Sequence, residues 1–347
     1  MSMPSATEES VDSQIPIAVN AEEPKPKGEL KDPKLLTSGS VDDTTGAWSP
    51  ATDRQVTELK GHSNWVRSVA WSHGAGRLAS GSDDKTIKIW DPVTGQGLLT
   101  LKGHADYIYS VAWSHDATRL ASGSKNSEVR IWDPVTGQQC VSKLMIHSGC
   151  VTSVAWSHDS SRLASGSVDQ TIKIWDPATG QCVSNLRGHG NWVSSVAWSH
   201  NSSRLASGSH DGTIKIWDPA TGWCLLSTLR GGLFDYIYSV VWSHDETRLA
   251  TSGNNGLIKI WDSTEGRCLS TLNGHTGPVY SISWSPDATR LASGSKDKTV
   301  KVWNPATGQC LSILKGHLGA VRSVAWSPDA TRLVSGSDDQ TVKIWNR

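Results

Sequence analysis

Histidine, serine and aspartate recur together along this chain of 347 residues, and side chains of these three types can form a nucleophilic triad. In the first copy, His62, Ser80 and Asp84 are followed by Trp90. A hydrolase uses such a set because a histidine oriented by a carboxylate can take the proton from a serine hydroxyl. An enzyme needs one preorganised site, however, and here the set is complete in five units. We therefore predict a structural role for it and expect no catalysis there.

The five complete sets share the same spacing between their members. They are His62, Ser80, Asp84 and Trp90; His147, Ser165, Asp169 and Trp175; His189, Ser207, Asp211 and Trp217; His275, Ser293, Asp297 and Trp303; and His317, Ser335, Asp339 and Trp345. The second unit has Asn126 where the others have aspartate, and the third has Ile146 in place of the glycine before its histidine. The fifth departs most, with Gly231-Gly232-Leu233, Thr251 and Asn255, so we expect it to be the weakest unit.

The elements that must position these side chains are short strands. The tryptophan that ends each set returns every 42 to 44 residues, and a second tryptophan, in strings such as "VAWSH", returns with it. Between them, β-branched apolar runs alternate with turn strings such as "SHDAT" and "DPATGQ", without a helical period. Each unit therefore predicts one four-stranded sheet. Such a sheet cannot bury both faces alone, so the units must stack.

These residues carry a family resemblance. The string Gly61-His62, Ser80, Asp84 and Trp90-Asp91 resembles the WD-repeat signature, and the seven copies in residues 54–347 resemble a seven-bladed β-propeller. The resemblance implies an all-β fold of four-stranded antiparallel blades, in which each His-Ser-Asp-Trp tetrad is a buried hydrogen-bond relay. The nearly verbatim reuse of "ASGS", "IKIWDPATGQC" and "WSHD" is similar to the repeat arrays of fungal vegetative-incompatibility and related innate-immunity receptors.

Closure of the ring and the organisation of the N-terminal residues follow from the same alignment. The chain stops after the third strand of unit 7, and Arg54–Lys60 matches the missing fourth strand. We predict that it completes the last blade, because an open ring would expose an edge strand. Residues 35–53 align with the repeat one period later and predict a decayed partial repeat, with an ordinary linker as the alternative. Residues 1–34 are acidic, lack periodicity and predict a disordered tail.

Two positions near the start of the first strand of each unit vary where the framework does not, and they hold all five tyrosines of the chain. In the propeller family these positions surround the top mouth of the central channel, together with the residue before the tetrad aspartate. The alternative, that they fill the core between blades, is disfavoured because Arg67, Thr152, Ser194 and Arg322 occupy the same positions. The candidate partner-binding residues, which we call the rim, are Trp65, Arg67, Asp83, Tyr107, Tyr109, Lys125, Trp192, His210, Tyr236, Tyr238, Tyr280, Lys296, Arg322 and Asp338.

Charge and composition restrict the function. The 33 basic and 33 acidic side chains balance, although residues 1–50 carry nine acids against four lysines. The weak basicity of the remainder and the acids near the predicted mouth disfavour nucleic acid as a partner. No apolar run approaches the length of a membrane span and no signal peptide is recognisable, so we expect a soluble, monomeric protein of the cytoplasm, with the nucleus as an alternative.

The cysteines and the remaining histidines predict no cofactor and no metal. Five cysteines occupy one repeated position, too far apart for a disulfide, and we expect small buried side chains. A further histidine follows the second tryptophan in five units: His73, His115, His158, His200 and His244. We expect these to be separate, solvated turn residues, with equivalent turns too far apart to share an ion.

The function favoured by these observations is a non-catalytic scaffold that binds a protein or peptide on the rim. One alternative is an adaptor subunit of a larger complex, of the organelle-fission, chromatin or ubiquitin-ligase type. Another is the detached ligand-sensing module of an innate-immunity receptor. The sequence has no G-x-x-x-x-G-K-[ST] nucleotide loop, so this chain is not expected to signal by nucleotide exchange alone.

Overall fold

A computed structural model describes residues 56–139, 144, 147–230 and 235–346. The predicted tail (1–34) and partial repeat (35–53) lie outside these residues. So do Arg54, Cys140, Ile146 and the sequence Gly231–Leu233 of the fifth unit. The predictions made for these segments therefore stay predictions.

The described residues form 27 strands and no α-helix. They therefore contain no helix that could span a membrane. Consecutive strands pair antiparallel into seven sheets, the blades. The strands are β1 (Val56–Leu59); β2 (Val66–Trp71), β3 (Leu78–Ser82), β4 (Thr86–Trp90) and β5 (Gly97–Lys102) in blade 1; β6 (Ile108–Trp113), β7 (Leu120–Ser124) and β8 (Val129–Trp132) in blade 2; β9 (Val151–Trp156), β10 (Leu163–Ser167), β11 (Ile172–Trp175) and β12 (Cys182–Leu186) in blade 3; β13 (Val193–Trp198), β14 (Leu205–Ser209), β15 (Thr213–Trp217) and β16 (Cys224–Arg230) in blade 4; β17 (Ile237–Trp242), β18 (Arg248–Gly253), β19 (Ile258–Asp262) and β20 (Cys268–Leu272) in blade 5; β21 (Val279–Trp284), β22 (Leu291–Ser295), β23 (Val300–Trp303) and β24 (Cys310–Leu314) in blade 6; and β25 (Val321–Trp326), β26 (Arg332–Ser337) and β27 (Val342–Asn346) in blade 7.

The predicted seven-bladed propeller of four-stranded blades is confirmed. Six blades have four strands in the described residues. Blade 2 has three, and isolated bridges join Leu144 to Val129 and Gln139 to Trp132 along the position of its fourth strand.

The predicted closure of the ring is confirmed as well. Strand β1 pairs antiparallel with β27, from Val56 opposite Trp345 to Leu59 opposite Val342. Leu59 is buried in a cluster with Val66 of blade 1 and Val342 of blade 7. The first described strand of the chain therefore completes its last blade, so that blade 7 does not end on an open edge.

Apolar side chains packed between neighbouring blades form the core. The cluster between blades 1 and 2, for example, joins Ile87, Ile89 and Leu101 to Ile108 and Val111. Close packing also explains the glycine of the repeated "SGS" string. A Cβ atom on Gly81 would lie 2.7 Å from Cγ2 of Ile108 in the next blade, closer than two carbon atoms can approach.

Hydrogen bonds between blades fix the distance from one blade to the next. The indole Nε1 of Trp113 donates to the carbonyl oxygen of Ala70 at 3.1 Å, and the amide of Val111 donates to Oγ of Ser68 at 3.0 Å. Equivalent indole bonds are made by Trp71, Trp156, Trp198 and Trp242. At the boundary between blades 5 and 6, Nε1 of Trp284 is buried without a hydrogen-bond partner in the described structure.

Candidate ligand-binding rim

The tetrads form the frame on which the rim is built. In blade 1, Nδ1 of His62 lies 2.7 Å from Oδ2 of Asp84, and Nε2 lies 2.7 Å from Oγ of Ser80. The indole Nε1 of Trp90 donates to the same Oγ at 2.8 Å. The other four complete sets show the same contacts within 2.7–2.9 Å. Because Ser80 and its equivalents are fully buried, these contacts satisfy polar groups that water cannot reach.

The tetrad carboxylates are held in the ionised state. Burial alone would raise the pKa of Asp84, but hydrogen bonds from His62 and Thr86 outweigh it and place the pKa well below its usual range. The same carboxylate accepts the backbone amide of Ser63 at 3.1 Å. It thereby ties the turn that precedes the first strand to the turn that follows the second. The rim residues of each blade lie in these two turns and at the second position of the first strand.

Blade 2 replaces its missing tetrad carboxylate from a neighbouring position. Nε2 of His104 lies 2.7 Å from Oγ of Ser122, and Nδ1 lies 3.7 Å from Oε2 of Glu128, two residues beyond Asn126. The buried Glu128 also accepts from Nη2 of Arg130 at 2.8 Å. The sequence by itself indicates only the loss of the aspartate at Asn126. The substitute is visible as an unusual "SEVR" where units 1 and 3 have "KTIK" and "QTIK".

Blade 5 retains only part of the tetrad. Nε1 of Trp261 donates to Oγ1 of Thr251 at 2.8 Å, and Asn255 accepts only the amide of Leu257 among the bonds seen there. The Oγ of Ser252 is buried without a hydrogen-bond partner among the described residues, beside a cavity of about 10 Å³. This is space for a single water molecule.

The rim residues meet at the centre of the ring. One cavity of about 360 Å³ is lined by the second residue of every first strand: Arg67, Tyr109, Thr152, Ser194, Tyr238, Tyr280 and Arg322. Cys150, Val168, Trp192 and His210 complete its wall. A backbone hydrogen bond aligns the two turns of each blade, as from the amide of His210 to the carbonyl of Trp192 at 2.9 Å. Equivalent residues therefore converge from all seven blades on one opening.

One side of the opening is an arginine–aspartate framework. Arg67 binds Asp83 through Nε (2.8 Å) and Nη2 (2.7 Å), and Arg322 binds Asp338 in the same way at 2.7 Å for both contacts. Both guanidinium groups lie over the Trp65 ring, at 4.7 and 5.2 Å from its centroid. Burial alone would lower the pKa of Arg322, but Asp338 outweighs it and raises that pKa. These arginines are therefore paired, and the buried Asp83 orients Arg67 rather than facing solvent.

The other side of the opening is aromatic and uncharged. The His210 ring stacks on Tyr236 at a centroid distance of 5.0 Å and lies 5.2 Å from Trp192. Tyr238 contacts both His210 and Tyr280, at 5.5 and 5.4 Å. Burial lowers the pKa of His210 and raises the pKa of Tyr238. At neutral pH this wall therefore presents neutral rings, which suit apolar or planar groups.

Seven of the predicted rim residues lie outside the cavity wall: Trp65, Asp83, Tyr107, Lys125, Tyr236, Lys296 and Asp338. Tyr107 carries Lys125, whose Nζ lies 4.6 Å from the ring centroid and 3.6 Å from Asp106. Lys296 is exposed at the corresponding position of blade 6. The rim therefore consists of a lined opening and an outer edge. Trp65, Trp192 and Tyr236 keep 39, 46 and 41 % of their surface exposed, as an interaction surface requires.

Two expectations from the sequence are wrong. The four described cysteines at the repeated position are not buried, because they begin the outermost strands: Cys224 and Cys268 are exposed, and Cys182 and Cys310 are half-buried. The five histidines after the second tryptophan are not separate either. Their rings stack in one series, with centroids 3.6 Å apart for His73–His115, 3.8 Å for His115–His158, and 4.2 Å for the two following pairs. The turns carrying them follow the innermost strands, where the ring of blades is narrowest.

Comparison with known proteins gives one family. The family model described as WD domain, G-beta repeat matches residues 53–91, 95–133, 138–176, 180–218, 223–262, 266–304 and 308–346. Each match spans one repeat unit, and together they cover most of the chain. No curated protein matches the sequence.

Proposed function

Because this chain belongs to the WD-repeat family, whose propellers are generally non-catalytic scaffolds for protein interactions, we propose that it binds a protein or peptide partner on the rim. The observation that carries the proposal is the convergence of the variable residues of all seven blades on one opening. The framework residues repeat almost unchanged, whereas these positions differ from blade to blade. Variation confined to one surface of a repeated scaffold favours specific binding of a partner at that surface.

The chemistry of the opening suits a polypeptide. Tyrosine, tryptophan and arginine dominate the residues that contribute most to protein–protein affinity, because they combine large contact areas with directional polar groups. Here the aromatic wall offers ring surfaces, and the paired arginines keep their remaining N–H groups for carbonyl oxygens. Since Asp83 and Asp338 neutralise those arginines, a partner need not be strongly acidic.

The test compares a rim variant with an edge variant of the same scaffold. The rim variant carries Tyr109→Ser, Trp192→Ser and Tyr238→Ser. The control carries Trp223→Ser, which removes a tryptophan that is 72 % exposed beside the outermost strand of blade 4. Both are first shown to melt at the temperature of the unchanged protein, and proteins retained from native lysate are then quantified.

Partners that bind the unchanged protein and the Trp223 variant, but not the rim variant, support the proposal. Partners retained by the rim variant contradict it, as do partners lost from the Trp223 variant alone. For a purified partner, single rim substitutions are expected to weaken binding by about 2 kcal/mol or more at the strongest positions.

The cellular setting is a separate proposal. We propose that the protein is monomeric and acts in the cytoplasm or nucleus, either as an adaptor of a larger complex or as a sensing module like those of fungal incompatibility receptors. Light scattering of the purified chain tests the first part, and microscopy of the tagged protein tests the second. The identity of the captured partners distinguishes the adaptor from the sensor.

A further inference from the structure

At the end of the innermost strands opposite the rim, the five histidines that follow the second tryptophan form a continuous stack, which we call the histidine arc. The ring centroids are 3.6–4.2 Å apart, and neighbouring ring planes are turned by 35–45°. Each of blades 1 to 5 contributes one ring, whereas blades 6 and 7 have Pro286 and Pro328 at the same position. Contact between successive rings therefore links the inner ends of five blades.

The stack accommodates neutral rings and opposes charged ones. The Nδ1 atoms of His115, His158 and His200 are buried and have no hydrogen-bond partner among the described residues. Because an imidazolium carries a proton on both nitrogens, charging any of these rings would leave a buried N–H group without an acceptor. The His158 ring lies 3.8 Å from the His115 ring and 4.2 Å from the His200 ring, so two charged neighbours would also repel each other strongly.

The charged groups that face the arc are carboxylates of the same series of turns. Asp116 acts on His73 and His115, Asp159 on His158, Asp245 on His200 and His244, and Asp287 on His244. Each of these carboxylates already accepts hydrogen bonds within its own turn, as Asp116 does from Ser114 and Thr118. They favour a proton on the arc but do not supply the missing acceptor at Nδ1.

Burial outweighs these carboxylates, and it also outweighs the hydrogen bonds that the backbone of Ser114 and Ser199 makes with His73 and His158. Burial, reinforced by the charge of neighbouring histidines, lowers the pKa of His115 and His200 to about 3 and that of His158 to about 4. Burial also lowers the pKa of the two terminal rings, His73 and His244. All five rings are therefore neutral at pH 7.

We propose that the histidine arc is an acid-sensitive contact, which holds the inner ends of blades 1 to 5 together while its rings are neutral and weakens in mild acid. Protons add first to His73, His158 and His244, because no two of these three rings are neighbours in the stack. His115 and His200 each lie between two of them and are the last to accept a proton.

The direction of the effect on stability follows from a comparison with the unfolded chain. There each histidine has a pKa of about 6.5, whereas in the folded protein burial in the arc lowers it. Below about pH 6.5 the unfolded chain therefore binds more protons than the folded one, and stability falls as the pH is lowered. The contribution of the neutral arc is complete above that pH. The loss begins well above the pH range in which the tetrad aspartates titrate, so the two effects are separable.

The repeats supply matched variants for a test. His115→Pro turns "WSHDATRL" into the "WSPDATRL" of blades 6 and 7, so the fold already accommodates a proline at this position. The interrupted variant, His115→Pro/His200→Pro, keeps three arc histidines but no neighbouring pair. The contiguous variant, His73→Pro/His244→Pro, also keeps three, and they remain neighbours. The melting temperature of the full chain is measured for the unchanged protein and both variants at about pH 7.5 and about pH 5, and each protein is compared with itself.

Acidification is expected to lower the melting temperature of the unchanged protein and of the contiguous variant at least about twice as much as that of the interrupted variant. Comparing each protein with itself removes the effect of proline on stability at neutral pH. An equal decrease in the two variants would overturn the proposal, as would an unchanged protein whose melting temperature does not fall. The rim is untouched in both variants, so the result is independent of partner binding.

The order of protonation is tested by NMR of the histidine rings in the full chain, with signals assigned by their absence from single-proline variants. His158 is expected to titrate at a higher pH than His115 and His200. Its removal in His158→Pro is expected to raise the titration midpoints of both neighbours by about one pH unit, because each loses a charged neighbour. Titration of all five rings at a common pH near 6.5 would contradict the proposal.

Discussion

Blades 4 and 5 are neighbours with the same repeated sequence pattern, but the tetrad hydrogen bonds seen in the described residues are complete in blade 4 and incomplete in blade 5. In blade 4, Asp211 accepts hydrogen bonds from His189, Gly190 and Thr213, and the relay continues to Trp217. In blade 5, within the described residues, the side chain of Asn255 at the same position accepts a hydrogen bond only from Leu257, and that of Thr251 only from Trp261. The apolar strands of both blades remain buried. Burial of the strands therefore maintains the sheet, and the polar relay is an addition that one blade can lack.

The boundaries after these two blades differ in the residues that meet there. Blade 4 has Gly208 opposite Ser195, where a Cβ would lie 2.6 Å from Cγ2 of Ile237 in blade 5. Blade 5 has Ser252 at that position, and its side chain occupies space that glycine leaves to the next blade. Beyond this serine, Trp284 lacks the indole hydrogen bond that Trp242 makes to Ala197 at 3.1 Å. Two residues differ at this boundary: Ser252 replaces the glycine, and Val241 replaces the alanine whose carbonyl accepts the indole bond in blade 4. A steric explanation assigns the missing bond of Trp284 to Ser252.

The largest difference in the free energy of unfolding is expected when the residue at the tetrad-aspartate position is replaced in each of the two blades. Asp211→Ala should lower the free energy of unfolding by about 2–4 kcal/mol, because it leaves the buried His189 and two backbone amides without their acceptor. Asn255→Ala should cost less than about 1 kcal/mol, since one local hydrogen bond is lost. Urea unfolding followed by tryptophan fluorescence measures both. Equal losses would show that the relay in blade 4 contributes nothing beyond its turn.

Smaller effects on stability, of opposite sign, are expected when the residues that face the next blade, Gly208 in blade 4 and Ser252 in blade 5, are exchanged. Gly208→Ser in blade 4 should destabilise the protein by about 1–3 kcal/mol through overpacking against Ile237. Ser252→Gly in blade 5 should leave stability unchanged or raise it by up to about 1 kcal/mol, because a restored indole bond offsets the flexibility of glycine. Hydrogen exchange of the Trp284 indole reports the bond directly. Exchange that stays as fast in Ser252→Gly as in the unchanged protein would refute the steric explanation.

The smallest effect is a dependence of stability on pH that blade 4, with its complete tetrad, is expected to show and blade 5 is not. Hydrogen bonds from His189 and Thr213 outweigh burial and hold the pKa of Asp211 well below its unfolded value of about 3.9. Its contribution to stability is therefore complete above about pH 5 and is lost as the pH falls through the folded-state pKa. Asp211→Asn should cost about 1–2 kcal/mol at pH 7 and progressively less towards pH 3. The cost of Asn255→Ala should not change over that range, and a parallel change in both would contradict this assignment.

Much of the fold was predictable because the same pattern of strand and turn residues occurs seven times in the sequence. The spacing of Trp90 and its equivalents predicted the number of blades, and the match of Arg54–Lys60 to a fourth strand predicted the closure that β1 makes with β27. The tetrad contacts are those that the resemblance to the WD-repeat signature implied. Ser252 was missed because "TSGNN" differs from the aligned "SGSDD" at every position, and the exchange of glycine for Ser252 matters only where another blade approaches.

The sequence by itself determined the architecture, because strand length, turn residues and buried positions are local properties that each unit repeats. Only the tertiary structure decided how separate units meet. It paired Arg67 with Asp83 and Arg322 with Asp338, and it placed Glu128 where Asn126 had removed a carboxylate. It also brought five histidines, each about one repeat from the next, into one stack. Ring closure brings equivalent positions of different blades together around one axis. The distances between their side chains depend on how the blades pack, and the order of residues along the chain does not give them.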